Sequence, residues 1–293
     1  MDLISIDSLS DAQIATILDR ADHWFAENRA GRTAGRLHGK LVFNLFYENS
    51  TRTAMSFATA AHRLGAAAIS LSVGHSSVNK GETLEDTART LGAMRPDVLV
   101  IRHKENGAPA TVAELVEAPV INAGDGTNEH PTQALLDAAT IRHRLGRIAG
   151  LKVAICGDIR HSRVARSNAK LLPRLGAEVR LAGPPEFLPD GLPVWSVEEA
   201  IAGADVVMML RIQRERLEED LNDAPGEYLA SHGLTTERLA RAATHAIVMH
   251  PGPMNRGVEI DGTIADDRER SVITLQVEFG VAVRMACLEL LAV

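Results

Sequence analysis

Residues 41–64 read LVFNLFYENSTRTAMSFATAAHRL and contain the pattern that decides the fold. Leu41–Phe46 is an apolar run with the length of a buried β-strand. From Thr53 to Leu64 the apolar side chains recur near helical spacing, which predicts a helix. The residues at 47–53 are mostly polar and read YENSTRT. A strand followed directly by a helix is the repeating unit of parallel α/β sheets.

The same alternation extends along the rest of the chain. In the first half, the predicted elements are strands at 67–71, 98–101 and 120–122 and helices at 83–94 and 131–145. The pattern then restarts, with strands at 152–158, 179–182, 205–210 and 246–249 and helices at 163–175 and 271–290. Continuous apolar strands between helices predict parallel sheets that are covered on both faces. Two such sets, separated near residues 130–150, predict two doubly wound α/β domains.

Composition excludes several classes of protein. The chain has 293 residues, and at about 150 residues per domain this length also predicts two domains. Lys and Arg number 31 and Asp and Glu 38, so the net charge is −7, and aromatic residues make up only 3%. Both values argue against nucleic-acid binding, which favours basic surfaces and aromatic stacking.

Neither a membrane protein nor a disulfide scaffold is predicted. No apolar run approaches the ~20 residues that a membrane helix needs. The amino terminus has no basic stretch followed by an apolar core, so we expect a cytoplasmic protein. Cys156 and Cys287 are far apart in sequence and do not have metal-ligand spacing. We expect two buried, unreactive thiols.

Ligands of open α/β sheets bind beyond the carboxyl ends of the strands. Ser50–Thr53 follows the first strand at the start of a helix, where free N–H groups and the positive end of the helix dipole favour an anion. Two threonines and Arg52 suit a phosphate. The same residues also suit a plain helix cap, and taken alone they leave both readings open. The Gly-rich signatures of P-loop and dinucleotide-binding proteins are absent from the sequence.

The other strand ends are also polar, and most supply Arg, His or Gln. They read Arg102–Lys104, Asn128–Gln133, Asp158–Arg163, Arg211–Gln213 and His250–Pro253. Together they predict a small, multiply anionic ligand with phosphate and carboxylate groups. We expect the excess acidic groups to lie elsewhere. Neither paired histidine ligands nor a Gly-x-Ser-x-Gly elbow occurs, so we expect a metal-free site that acts by positioning and charge stabilisation.

Several ordered motifs together carry a resemblance to a known family. They are Ser50–Thr53, Ser76–Thr83, Arg102, His130–Gln133, Gly157–Arg163, Arg211–Gln213 and His250–Pro253. With these motifs, essentially the whole chain resembles the aspartate/ornithine carbamoyltransferase family. The resemblance implies a carbamoyl phosphate-binding domain at 1–133 plus 272–293 and an aspartate-binding domain at 134–271. It also implies that the last helix packs back on the first domain.

The resemblance implies transfer of a carbamoyl group from carbamoyl phosphate to the amine of L-aspartate, a step of de novo pyrimidine biosynthesis, without a cofactor. Ser50, Thr51, Arg52 and Thr53 would hold the phosphate. Thr53, Arg102 and His130 would face the carbamoyl oxygen, and Gln133 with the carbonyls near Gly252 and Pro253 would accept from the carbamoyl NH2. Arg163, Arg211 and Gln213 would hold the aspartate carboxylates. Ser76 and Lys80 would reach the site of a neighbouring subunit, with Lys80 also contacting aspartate.

Two alternatives differ in chemistry. An ornithine carbamoyltransferase should carry a cysteine where this chain has His250–Pro253, and should not offer Arg211 to a cationic side chain. A catalytically silent homologue should have lost site residues, whereas every expected one is present. The resemblance further implies at least a trimer, and it leaves open a regulatory or dihydroorotase-like partner chain.

Overall fold

The computed structural model describes residues 1–72, 81–191, 193, 195–212 and 225–292. The chain divides into two compact units, one of Met1–Ala139 with Val277–Val293 and the other of Thr140–Gln276. Each unit is built around one four-stranded parallel sheet. This confirms the predicted α/β class with parallel sheets.

The first unit has the strand order β2-β1-β3-β4. Its elements are α1 (Asp11–Arg29), β1 (Leu41–Phe46), α2 (Thr51–Arg63), β2 (Ala67–Ser72), α3 (Leu84–Gly92), β3 (Val98–His103), α4 (Ala108–Leu115), β4 (Val120–Asp125) and α5 (Pro131–Leu145). β3 and β4 are buried along their whole length. Full burial on both faces explains why β3 begins with four consecutive apolar residues, Val98–Ile101, rather than an alternating pattern.

The second unit repeats this order as β6-β5-β7-β8. Its elements are β5 (Lys152–Cys156), α6 (Arg163–Arg174), β6 (Glu178–Ala182), α7 (Val197–Ile201), β7 (Val206–Met209), α8 (Pro225–Ser231), α9 (Thr236–Leu239), β8 (Ile247–Met249) and α10 (Gly262–Ala265). The closing helix is α11 (Ile273–Leu291). Its bounds lie within two residues of the helix that we predicted at 271–290.

Strand order determines where each sheet can bind a ligand. The chain leaves β1 to form β2 on one side and then returns to form β3 on the other, so the connections diverge at the carboxyl end of β1. The second sheet does the same around β5. A crevice opens at such a switch point, and it is the usual ligand site of an open α/β sheet.

Some helices differ from the sequence-based expectation. Helix α2 begins at Thr51 rather than at Thr53, because Ser50 takes the N-cap position with an extended backbone. Helix α1 was not among the predicted elements, although it has a clear start signal. The side chain of Ser10 accepts from the backbone of Gln13, whose side chain bonds back to Ser10, a reciprocal capping box. α4 and α7 are too short to show a periodic apolar face.

The closing helix packs on α1 within the first unit, as expected. The rings of Phe25 and Phe279 stack with their centroids 4.2 Å apart. Glu289 accepts a hydrogen bond from the indole of Trp24 at 3.0 Å and forms an ion pair with Arg20. Trp24 is only 2% exposed, so its N–H depends on that carboxylate rather than on water.

The unit boundaries lie inside helices, after Ala139 in α5 and after Gln276 in α11. They fall about five residues beyond the expected domain boundaries at 133/134 and 271/272. The assignment of one substrate to each domain remains a prediction. Across the described ranges, no helix is both long enough and apolar enough to cross a membrane.

We expect Glu289→Ala to destabilise the first unit by about 1–3 kcal/mol, because it leaves the buried indole N–H of Trp24 without its acceptor. Urea unfolding followed by tryptophan fluorescence measures the change. The matched control is Glu278→Ala, whose partner Arg29 lies on the same pair of helices but is 57% exposed. The control should have a smaller effect, since exposed ion pairs contribute little. Equal shifts for the two variants would contradict this account.

Candidate active site

The amino terminus of α2 lies directly beyond β1, at the switch point of the first sheet. The hydroxyl of Ser50 donates to Thr53 Oγ1 at 3.0 Å and accepts from the Thr53 backbone N–H at 3.4 Å. The first turn has no acidic side chain, and Thr51 and Arg52 are exposed. Free backbone N–H groups, the positive end of the helix dipole and the Arg52 guanidinium would together favour an anion at this turn.

Arg102 lies beside that turn because β3 pairs with β1, which places Arg102 opposite Phe46. Its Nη2 donates to Glu48 at 2.6 Å, and its Nη1 donates to the backbone carbonyl of Ala123 at 3.2 Å. The Arg102 side chain is 10% exposed, whereas Glu48 is 35% exposed. These two hydrogen bonds hold the guanidinium in place. An anion bound here would contact the same guanidinium as the Glu48 carboxylate does.

Glu48 corrects one sequence-based expectation. We expected the acidic groups to lie away from the ligand edge, yet this carboxylate contacts an arginine at the end of β3. The physical reason is that a nearly buried guanidinium needs a counter-charge when no ligand is bound. The position of Glu48 in the sequence, two residues before the helix cap Ser50, could have indicated this contact.

A buried network shapes the turn that carries His130. The Asp125 carboxylate accepts from the Asn122 side chain at 2.8 Å, from the backbone of Gly107 at 2.8 Å and from the backbone of Glu129 at 3.0 Å. These bonds fix the backbone just before His130, which is 4% exposed. His130 therefore follows a backbone segment that several hydrogen bonds hold in place. Such support suits a side chain that must position a ligand.

Gln133 lies in the first turn of α5 and is orientated by a buried carboxylate. Its Nε2 donates to Asp137 Oδ1 at 3.0 Å, one helical turn further on. Because the amide nitrogen is engaged, the Oε1 atom is the group that can accept from a ligand. Gln133 thus suits a ligand that brings an N–H donor. The sequence reading did not single out Asp137, which lies outside every quoted motif.

A buried arginine of the closing helix contacts α2. Arg284 of α11 donates to Ser56 at 2.8 Å, and its guanidinium lies 5.0 Å from the ring centroid of Phe57. Burial lowers the pKa of Arg284 to about 10, so it stays charged at neutral pH. The closing helix therefore helps to hold α2 in place.

The second sheet repeats the arrangement at the start of α6. The side chain of Ser162 caps the helix by accepting from the Ala165 backbone at 3.1 Å. Arg163 is the first helical residue, and the first turn again has no acidic side chain. Arg160, three residues earlier, is instead held by the Leu188 carbonyl at 2.7 and 3.0 Å. Arg160 is therefore engaged by a backbone carbonyl, whereas Arg163 lies at the start of the helix.

Arg211 follows β7, the strand next to β5, and is exposed. A Cβ atom on Gly157, at the end of β5, would lie 3.1 Å from both the Cβ and the carbonyl oxygen of Leu210. Gly157 also has a φ of +132°, which other residues rarely adopt. Glycine thus lets the two strand exits approach closely, which brings the segments bearing Arg163 and Arg211 to the same edge.

The loop after β8 contains Gly252 and Pro253, whose carbonyls we expected near a ligand amide. The backbone N–H of Gly252 donates to His250 Nδ1 at 2.8 Å, and the backbone N–H of His250 donates to Gln276 at 2.9 Å. Three predicted site residues, Ser76, Lys80 and Gln213, lie outside the residues that the structure describes.

The described residues give little support for chemistry that uses a thiolate or a metal ion. Burial raises the pKa of the Cys156 and Cys287 thiols to about 12, so neither supplies a thiolate near neutral pH. Within those same ranges, no group of three or more His, Cys, Asp and Glu side chains could hold a metal ion.

Comparison with family models matches two domains in succession along the chain. Residues 1–143 match the carbamoyl-P binding domain of aspartate/ornithine carbamoyltransferase, and residues 149–291 match the Asp/Orn binding domain. The aspartate carbamoyltransferase catalytic subunits of Rhizorhabdus wittichii and Rhodospirillum rubrum are each 56% identical to this chain. They cover 99% of this chain, which in turn covers 94% and 93% of them.

Solved structures from both branches of the family are similar to this one. The Trypanosoma cruzi aspartate transcarbamoylase in complex with carbamoyl phosphate and aspartate has a TM-score of 0.87 at 32% identity, covering 98% of this chain and 95% of that one. The ornithine carbamoyltransferase of Pyrococcus furiosus has a TM-score of 0.87 at 27% identity, with the same coverage. From the match to both family domains, the chain belongs to the aspartate/ornithine carbamoyltransferase family.

Proposed function

We propose that this chain is an aspartate carbamoyltransferase, which converts carbamoyl phosphate and L-aspartate to N-carbamoyl-L-aspartate and phosphate. One observation carries the proposal. Each sheet places a serine-capped helix with an arginine in its first turn directly beyond its switch-point strand. Two such termini suit two anionic substrates. The catalytic subunits that are 56% identical to this chain carry the same activity in their names.

The first unit binds carbamoyl phosphate. The phosphate lies at the start of α2, where it accepts hydrogen bonds from Ser50, Thr51, Arg52 and Thr53. Thr53, Arg102 and His130 donate to the carbamoyl oxygen. The amide N–H groups donate to Gln133 Oε1. The carbonyls of Gly252 and Pro253, which the resemblance also implies as acceptors, belong to the second unit. The engaged Nε2 of Gln133 supports this part, because it leaves an oxygen for the substrate amide.

The aspartate amine attacks the carbamoyl carbon. A C–N bond forms, charge grows on the carbonyl oxygen, and the C–O bond to phosphate then breaks. Positioned donors stabilise that charge, since they need no reorganisation as it develops. The departing phosphate takes the proton that the amine loses, so the reaction needs no protein base.

Aspartate binds through its two carboxylates. Arg163, Arg211 and Gln213 hold them, and Lys80 adds a further cation. A planar guanidinium matches a carboxylate with two parallel hydrogen bonds. Ornithine as the second substrate is disfavoured, because the same arginines would repel its ammonium group. The fold alone does not discriminate between aspartate and ornithine as the second substrate, since a structure from each branch of the family has a TM-score of 0.87 to this one.

The active assembly is a homotrimer in which Ser76 and Lys80 reach the site of a neighbouring subunit. An exposed strand edge supports this assembly. β2 lies at the edge of its sheet, and Ile69 within it is 56% exposed. Met55 on α2 is 61% exposed. The enzyme works in the cytoplasm in de novo pyrimidine biosynthesis, and it is open to a regulatory or dihydroorotase-like partner chain.

The purified chain, offered carbamoyl phosphate, should carbamoylate aspartate and leave ornithine unchanged. Arg211→Gln should raise the KM for aspartate at least about tenfold, as expected for the loss of a charge-assisted bond, with little effect on phosphate binding. Arg241→Gln, an exposed position in the same unit, is the control. Product assays with both amines measure the outcome. Reaction with ornithine alone would overturn the substrate assignment, and no reaction with either would overturn the activity.

Inorganic phosphate should bind at the start of α2. Arg52→Gln should weaken its binding by about tenfold or more in calorimetric titration, because a charged donor to the anion is lost. The matched control is Arg63→Gln at the opposite end of the same helix. It removes the same charge away from the site and should change the affinity little. An equal loss in both variants would mean that only net charge matters.

A shared site should allow complementation between inactive variants. Lys80→Ala and His130→Ala should each be inactive alone. Mixed trimers should regain activity, because some sites receive Lys80 from one subunit and His130 from its neighbour. Sedimentation should give about three chains of 31.5 kDa each. Mixed trimers that form without recovering activity would contradict a shared site.

A further inference from the structure

A buried carboxylate of the first unit, that of Asp137, has no direct part in the proposed reaction. Asp137 is 0% exposed and lies in α5, one helical turn after Gln133. Its Oδ1 atom accepts a hydrogen bond from Gln133 Nε2 at 3.0 Å. Gln133 is itself only 8% exposed, so this bond is shielded from water. A carboxylate is costly to bury, so its position calls for a structural or functional reason.

Arg284 of α11 acts electrostatically on Asp137 within the same unit. Burial lowers the pKa of Arg284 to about 10, and the negative charge of Asp137 opposes that shift. The guanidinium also donates to Ser56 of α2 and to the carbonyl of Gly280. A buried arginine nearby favours the ionised form of a carboxylate, and an ionised carboxylate can only accept hydrogen bonds.

An ionised Asp137 determines which way the amide of Gln133 faces. Because the carboxylate can only accept, Nε2 must be the amide atom that contacts it. Turning the amide around would set Oε1 against Oδ1, and two acceptors without a proton between them repel each other. Oε1 makes no hydrogen bond within the described residues. It is therefore the atom that remains for a ligand.

We propose that Asp137 is a positioning residue that makes the first unit select carbamoyl phosphate over acyl phosphates that lack an N–H group. This inference rests on the proposed function. The backbone N–H of Gln133 donates to the carbonyl of His130 at 2.9 Å, so both expected ligand contacts come from one turn of one unit. A carbamoyl NH2 can donate to Oε1, whereas the methyl group of acetyl phosphate cannot. Asp137 thus acts on the choice of ligand through Gln133, without contacting the ligand.

The test compares carbamoyl phosphate with acetyl phosphate, in which a methyl group replaces NH2. The measured quantity is the ratio of their dissociation constants, from calorimetry with the full-length protein in the cold, where carbamoyl phosphate decomposes slowly. Asp137→Asn keeps the size of the side chain but can donate as well as accept, so the Gln133 amide can turn. The preference for carbamoyl phosphate should fall about tenfold. The matched control is Asp19→Asn, at an exposed position on α1 of the same unit, which should leave the ratio unchanged.

A double-mutant cycle distinguishes positioning from a general structural role. Gln133→Met removes the amide at similar size and should by itself lower the preference about tenfold. If Asp137 acts through Gln133, adding Asp137→Asn to Gln133→Met should change the ratio no further. Inorganic phosphate has no group that contacts the amide and should bind each folded variant as it binds the wild type. Circular dichroism identifies the variants that fold.

A measurement on the wild-type protein does not depend on whether Asp137→Asn folds. The side-chain amide signal of Gln133 in a nuclear magnetic resonance spectrum is identified by its loss in Gln133→Met. Its NH2 protons should exchange slowly with water, with and without carbamoyl phosphate, because Nε2 stays bonded to Asp137. Fast exchange in the free protein would show that the amide is not held and would overturn the inference.

The outcomes separate this inference from the proposed function. Wild-type protein that fails to carbamoylate aspartate refutes the function and the inference with it. Active wild-type protein that binds the two acyl phosphates equally well refutes the inference alone. So does a folded Asp137→Asn variant that keeps the wild-type ratio, or one whose effect adds in full to that of Gln133→Met. An equal loss of affinity for all three phosphates also refutes it, because that result indicates a general structural role.

Discussion

The positive end of a helix dipole attracts an anion, and both units start a helix at the switch point of their sheet. Arg52 in α2 and Arg163 in α6 both occupy first turns without an acidic side chain. At either turn the helix dipole, the free N–H groups and the guanidinium would act together on a bound anion. Most of the site can be understood as support for these two turns.

The two units share one arrangement of strands and helices. In both, a serine-capped helix follows the strand at which the connections diverge, and a second arginine lies at the end of the neighbouring strand or just after it. In the first unit that second arginine, Arg102, is nearly buried and paired with Glu48. In the second unit Arg211 is exposed. Under the proposed function, the enclosed arginine faces carbamoyl phosphate and the exposed one faces aspartate.

Carboxylates recur behind the groups that would touch substrate. Glu48 contacts Arg102, and Asp137 orientates Gln133. In both cases a polar side chain is held in one geometry before a ligand arrives, which reduces the cost of ordering it on binding. The net charge of −7 is thus compatible with a site for anions, because part of the acidic excess supports the basic groups rather than opposing them.

The sequence by itself determined the fold class and the position of Ser50–Thr53 at the start of a helix. Apolar runs of strand length alternate with helical periodicity, and strand ends in parallel sheets meet at one edge, so the polar residues after each strand could be predicted to converge. The resemblance of the ordered motifs then supplied the family. Short helices such as α4 and α7 escaped prediction, since a few residues show no measurable period.

Only the tertiary structure decided which groups stand behind the site. Glu48 accepts from Arg102, and Arg284 of the closing helix donates to Ser56, across long separations in the sequence. Arg160 and Arg163 look equivalent in the sequence, yet the Leu188 carbonyl holds one of them and the helix terminus presents the other. Such choices depend on atoms that are distant along the chain and adjacent in space, and local sequence patterns carry no record of that distance.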